Sequence, residues 1–223
     1  MTEADAVAES WRAPEEARRY RALHEGGLLR RLRTHLERRF LERALRRLGP
    51  IESILDVPSG AGRFSPILAA AARTVVSADA SAAMLRARPA IGQAVLARAE
   101  RLPFCDGAFD VVVCHRLVHH LGDAADRARV FAELARVARR AVVFSYWTAA
   151  SRRGRRLPGL RTRGLAKSVA RRHFLAPAAL ARELSPHGLV ALRTDHKLRW
   201  FSPVALVTCR CGAGAKAVAR VGE

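Results

Sequence analysis

A doubly wound α/β sheet, mostly parallel with an antiparallel edge and with helices on both faces, is the fold this sequence predicts. Three observations predict it. Short continuous Val/Ile/Leu/Phe runs recur along the chain, as strands buried on both faces require. Segments with helical periodicity alternate with the first of these runs, which argues for parallel βαβ units. The last two runs are separated only by the polar stretch DHKLRWFSP, so they can pair as a hairpin at the sheet edge.

The elements follow in order. Over 28–48, Leu28, Leu32, Leu36, Phe40, Leu41, Leu45 and Leu48 form one stripe and arginines fill the opposite face, closed by Gly49-Pro50. This amphipathic helix packs across a sheet, caps a pocket or lies on a membrane surface; with the residues before it, it is expected to form a helical lid over 1–50. Seven strands are expected, at 53–57, 74–78, 93–97, 109–114, 141–146, 189–194 and 204–209. Helices are expected at 63–72, 81–88 and 123–138. Asp123 is placed to cap the last of these, and Val130, Phe131, Leu134 and Val137 form its apolar face. The unit 51–223 reads as one domain with a basic insertion at 148–176.

Composition narrows the class. A chain that is 50% hydrophobic and 27% charged has the balance of a globular protein, not of a disordered one. No apolar run reaches the roughly 18 residues of a membrane span, and the acidic opening MTEADAVAES reads as cytoplasmic rather than secreted. The cysteines Cys105, Cys114, Cys209 and Cys211 lack the spacing of a disulfide framework or a four-ligand zinc site, and Cys209-x-Cys211 reads as the end of an edge strand. The net charge of +20 is concentrated late in the chain: residues 151–173 carry nine basic side chains and no acid. Such a field attracts anions, whether nucleic acid, an anionic membrane surface or an anionic substrate. Of the 40 basic residues 37 are arginine, and compositional bias alone is the alternative reading of the charge.

The turn after the first strand, in ILDVPSGAGRF, is where a doubly wound sheet binds its ligand. Gly60 and Gly62 leave the main chain bare for close approach, and the helix that follows can present unpaired N–H groups. A dinucleotide fingerprint would place a third glycine where Ser65 stands, so pyrophosphate binding is weakly supported. Asp79 lies 17 residues beyond Gly62 at the end of the second strand, where a carboxylate accepts hydrogen bonds from ribose hydroxyls. Asp56 also reads as a turn residue, and Asp79 as a cap for the helix from Ser81.

ILDVPSGAGRF resembles motif I of the class I S-adenosylmethionine-dependent methyltransferases, which share a Rossmann-like fold. ADASAAML resembles the segment after it, and ARAERLPFCDGAFDVVVCHRLVHHL the third and fourth motifs. The matches stand in the family's order across about 51–147, nearest to the branch acting on small molecules, quinone precursors and lipids. The resemblance implies S-adenosylmethionine as cofactor. Asp56 and the turn of Pro58, Ser59, Gly60 and Gly62 would hold its methionyl end, and Asp79 with Ala80 its ribose. Met84 would supply a pocket wall, Ala99 and Glu100 would lie along the adenine, and His115 would complete the pocket. Pro58 departs from the family's commonest pattern, its fixed φ suiting a position that needs no left-handed backbone. Arg98 departs too: relatives carry an acid or amide there, whereas arginine only donates. Leu102 would then supply apolar contact.

Methyl transfer from a sulfonium needs chiefly alignment, and no metal is implied. A base would assist a hydroxyl or amine acceptor; the candidates are His115, His119 and His120, with Tyr146 on the same rim. Acceptor walls are expected from 1–50 and 148–202, including Trp11, Tyr20, Trp147 and Trp200. Three readings stay open. One is a small-molecule or lipid methyltransferase, its acceptor drawn in by the arginine-rich run. Another is an RNA methyltransferase, although only Phe174 beside that run could stack a base. The last is a protein that binds S-adenosylmethionine without turnover.

Overall fold

A computed structural model describes residues 28–150, 173–196 and 204–212 of the chain. Residues 1–27 of the expected lid and the basic run 151–172, with Trp11, Tyr20 and Trp200, lie outside the described residues.

Helix α1 (Leu28–Arg47) precedes strand β1 (Ile51–Asp56). Then come α2 (Ser65–Ala71), β2 (Ala72–Asp79), α3 (Ala82–Ala87), β3 (Gln93–Leu96), β4 (Phe109–Cys114), α4 (Ala124–Val137) and β5 (Ala138–Thr148). After the undescribed segment follow β6 (Phe174–Leu175), α5 (Pro177–Leu184), β7 (Leu189–His196) and β8 (Val204–Cys211). The strand order is β3-β2-β1-β4-β5-β8-β7, with the short β6 beside the end of β5. β1 to β5 run parallel, while β8 is antiparallel to both β5 and β7. This is the expected doubly wound sheet with its antiparallel edge, carrying eight strands among the described residues instead of seven.

Alternate residues of the inner strands feed separate cores on the two faces, because successive side chains on a strand point oppositely. Leu55, Val112, Cys114, Val142, Phe144, Val207 and Cys209 meet Phe131, Leu134 and Val137 of α4 and Leu180 and Leu184 of α5. Ile54, Val75, Val111, Val113, Val143 and Leu206 meet Leu41, Ala44 and Leu45 of α1 and Ile67 and Leu68 of α2. Each such aliphatic side chain contributes about 1.5–3 kcal/mol by burial. The stripe on α1 is therefore divided. Leu41 and Leu45 are core, whereas Leu32 is 52% exposed.

Asp123 caps α4 as expected, its Oδ1 accepting from the Ala125 N–H at 2.9 Å. Other expectations are corrected. β5 is longer than 141–146 because it pairs with β8 from Ala141 to Trp147 and with β6 at Trp147 and Thr148. Tyr146 therefore lies inside the core, 1% exposed, and not on the rim. Cys209 and Cys211 close an inner strand, since β7 and not β8 forms the edge. Helix α5 was not expected, although Pro177 at its start, Leu180 and Leu184 one turn apart and the left-handed Gly188 beyond it are signals of one.

Arg127 of α4 ties these layers together. Its Nε and Nη2 donate to Glu183 of α5 at 2.7 and 2.6 Å, and its Nη1 to the carbonyls of Leu121 and Gly122 at 2.9 and 2.8 Å. Arg127→Met is expected to cost about 2–4 kcal/mol, because Glu183 and two carbonyls lose a charged donor. A lowered denaturant midpoint at unchanged slope checks this.

Candidate active site

The chain leaves β1 at Asp56 and turns sharply through a cis Val57-Pro58 peptide. Val57 N–H donates to the Val113 carbonyl at 2.9 Å and Ser59 N–H to the Ala78 carbonyl at 2.9 Å, so the turn is pinned to β4 and β2 at once. Gly60 and Gly62 both take left-handed backbone, with φ of 56° and 70°. Gly62 has a further reason to be bare: a Cβ there would stand 2.6 Å from Pro89 Cδ and 2.8 Å from Arg88 Cβ. Its absence lets the loop after α3 close against the turn.

Asp79 holds the turn from the β2 side. Its Oδ2 accepts the Gly60 N–H and its Oδ1 the Ser81 N–H, each at 2.8 Å. Burial raises its pKa against the lowering effect of those two bonds. Ser81 then caps α3, its Oγ accepting from Met84 N–H at 3.2 Å. Met84 packs with Ala61 and Ala83 as a small apolar wall below Ala80.

Asp56 is 1% exposed, and neither carboxylate oxygen has a hydrogen-bond partner. Burial first, and then the charge of Asp79, push its pKa up to about 8. A buried carboxyl without a partner is costly; a ligand bearing a cationic amine would satisfy it. Asp56 lies between β2 and β4, where the strand order reverses and a doubly wound sheet binds its ligand. An amino group for Asp56 and hydroxyls for the spare lone pairs of Asp79 fit the amino-acid and ribose ends of S-adenosylmethionine.

The third motif lies farther out, where Ala99 and Leu102 are buried. Arg98 Nε donates to Glu100 Oε1 at 2.5 Å, so the two side chains neutralise each other beside the expected adenine position.

The structure separates the three histidines. The His115 ring packs on Phe64 at 4.6 Å, near the first turn. His119, 1% exposed, stacks on Trp147 at 5.2 Å and an interplanar angle of 12°, and also touches His120. Trp147 meets Phe174 at 5.3 Å, and the His173 N–H reaches the His119 carbonyl at 2.9 Å. His119, His120, Trp147 and Phe174 thus form an aromatic rim at the end of β5 and the start of β6, while His115 packs on Phe64.

A charged group above the first turn was missed in the sequence. Glu37 of α1 is 4% exposed; it pairs closely with Arg63 and stands 3.7 Å from Arg116. Arg116 is the single non-glycine residue with positive φ, 69°, among the described residues. Its position next to His115 was visible, but its pairing across 79 positions was not.

A glycine turn and a buried carboxylate pair stand at the switch point of this Rossmann-like sheet, the arrangement that the resemblance to S-adenosylmethionine-dependent methyltransferases leads one to expect. Residues 55–145 match the family model of a methyltransferase domain, so this stretch carries a methyltransferase domain with S-adenosylmethionine as methyl donor. No curated protein matches the sequence significantly. Among solved structures the fold is similar to magnesium protoporphyrin IX methyltransferase (ChlM) from Synechocystis PCC 6803 with bound SAM, at 16% identity and a TM-score of 0.71 over 94% of this chain and 97% of that one. It is also similar to a Thermotoga maritima SAM-dependent methyltransferase, possible histamine N-methyltransferase (17% identity, TM-score 0.62, covering 90% and 99%). The PH0226 protein from Pyrococcus horikoshii OT3 is a further match (18%, 0.64, covering 81% and 91%).

Proposed function

We propose that this enzyme methylates a small-molecule acceptor, its cofactor held by Asp56 at the methionyl amine and by Asp79 at the ribose. The observation that carries the cofactor assignment is the Asp56 carboxylate, fully buried and unpartnered at the switch point. When bound, S-adenosylmethionine supplies a methyl group on an activated sulfonium. The chain's own task is alignment and exclusion of water. Met84 and Ala61 wall one side, and the Ser59–Gly62 turn presents main chain. On the rim, half-buried Trp147 and Phe174, with Trp147 backed by the buried His119 ring, offer an aromatic surface that suits a conjugated or lipid-like acceptor. His120, on this rim, and His115 are the candidates for taking a proton from a hydroxyl or amine. His119 serves chiefly as packing, since its ring is enclosed between His120 and Trp147. Two of the structural neighbours are named for small-molecule acceptors, which supports the same reading.

The test incubates the protein with methyl-labelled S-adenosylmethionine and host extract separated into small-molecule, lipid, RNA and protein fractions. Label is expected in the small-molecule or lipid fraction. Label in RNA would replace this reading with RNA methylation, and cofactor binding with no label anywhere would make the protein a non-catalytic binder.

A further inference from the structure

The charged group between α1, the first turn and the loop after β4 holds more cations than anions among the described residues. Arg63 and Arg116 converge on one carboxylate, Glu37, and a third arginine, Arg38, donates to the Arg63 carbonyl at 3.2 Å. The Arg63 side chain is 8% exposed, yet its Nε and Nη1 are buried with no acceptor among the described residues. Its guanidinium lies 4.8 Å over the Phe64 ring, which removes one face from water. Each buried N–H without an acceptor costs about 1–3 kcal/mol, and an uncompensated buried cation costs several more. The pairing with Glu37 accounts for one end of the guanidinium and leaves its Nε and Nη1 unmatched among the described residues.

Arg116 is held with equal care. Its left-handed backbone, strained for a residue with a Cβ, is fixed by its N–H donating to Ser145 Oγ of β5 at 2.7 Å. That bond fixes the backbone of the residue after His115, whose guanidinium stands 3.7 Å from Glu37. Two guanidinium forks with donors to spare match the geometry of a carboxylate, which one fork can take through paired bonds.

We infer that Arg63 and Arg116 form a carboxylate-binding site for the methyl acceptor, with Glu37 holding the guanidinium groups in place. The inference rests on the function proposed above and adds a substrate class: an acceptor carrying a carboxylate, anchored at one end and methylated elsewhere. Its position supports the acceptor as the source. Arg116 belongs to the loop that continues into the Val118–His120 turn, so it shares a segment with the aromatic rim. Asp79, the ribose candidate, lies on the opposite side of Asp56, with β2. An anchored carboxylate would leave the rest of the acceptor across the switch point, toward His119 and Trp147.

The cofactor's own carboxylate is the competing source of the same chemistry, and the test separates the two. Protein saturated with S-adenosylhomocysteine is titrated with benzoate and phenylacetate, each beside its uncharged amide, and followed by calorimetry and thermal shift. A carboxylate is expected to bind in the millimolar range where its amide does not. Arg116→Met is expected to weaken that binding by about tenfold or more, a loss of about 1.4 kcal/mol, while S-adenosylhomocysteine affinity changes less than about threefold. Arg116 is 20% exposed and its pairing with Glu37 is loose, so this variant keeps the fold where Arg63→Met, which strips Glu37 of its close partner, need not. Absence of carboxylate binding, or equal displacement by inorganic phosphate, overturns the inference. So does a tenfold loss of S-adenosylhomocysteine affinity in Arg116→Met that 5′-methylthioadenosine, which lacks the amino-acid end, does not share; the arginines would then serve the cofactor. Failure of the wild type to bind S-adenosylhomocysteine would instead remove the function proposed above.

Discussion

Asp56→Asn is expected to lower affinity for S-adenosylhomocysteine by about two to three orders of magnitude and to raise the stability of the ligand-free protein. Both effects come from one carboxyl. Truncating one member of a buried charged pair costs about 2–5 kcal/mol of binding, and asparagine cannot offer the amine a negative charge. In the ligand-free state the same charge is a burden. The folded pKa of about 8 lies above the ordinary value of 3.8 because of burial and the neighbouring Asp79. Below about pH 3.8 folded and unfolded chains both hold the proton, and this group has no effect on stability relative to asparagine. Between 3.8 and about 8 the unfolded chain releases it and the folded chain keeps it, so wild-type stability falls as pH rises through this window. The asparagine variant lacks that decline, and the gap between the two in thermal midpoint should widen toward pH 8 and then level off. Ligand affinity moves in the opposite direction. If the amine binds the ionised carboxylate, wild-type affinity for S-adenosylhomocysteine rises with pH toward about 8, with proton release detectable in buffers of different ionisation enthalpy. A flat affinity profile together with unchanged binding in the variant would remove Asp56 from the cofactor site.

Asp79→Ala is the second large effect, and the structure changes its form. As a ribose ligand alone, Asp79 could be removed with loss of binding and little loss of fold. Its oxygens also accept the Gly60 and Ser81 N–H groups, so alanine leaves two donors at the turn unpaired. At about 1–3 kcal/mol for each unmet buried group, the variant is expected to lose about 2–4 kcal/mol of stability, read as a lowered denaturant midpoint. It should also bind S-adenosylhomocysteine at least about a hundredfold more weakly, the ribose bonds and the set of the turn failing together. Asp79→Asn separates the contributions, because its single carbonyl oxygen still accepts one of the two N–H groups. Unchanged affinity in both variants would count against the ribose assignment.

The parts legible in the sequence are those carried by a few consecutive residues. β4 was bounded correctly because FDVVVC is apolar save for Asp110, and α4 because Asp123, Val130, Phe131, Leu134 and Val137 carry cap and face on one segment. The glycine turn, with Asp56 before it and Asp79 at the next strand end, was equally local. The length of β5 was not, since strands that pair with it from elsewhere in the chain decide where it ends. Glu100 shows the same limit: its carboxylate is engaged with Arg98, a relation that depends on the bend between them.

The order of apolar runs, glycines and acids along the chain determined by itself the doubly wound α/β architecture with two carboxylates at its first two strand ends, and the resemblance of its motifs supplied the methyltransferase reading. Burial, backbone direction and chemical type at those positions repeat within windows of a few residues. The tertiary structure alone decided that Asp56 stands unpartnered, that Gly62 is bare because of Pro89, and that Glu37, Arg63 and Arg116 meet above the turn. Those facts depend on which distant segments the sheet brings together, and electrostatic and packing energies act through space, with no trace in the spacing of residues along the chain.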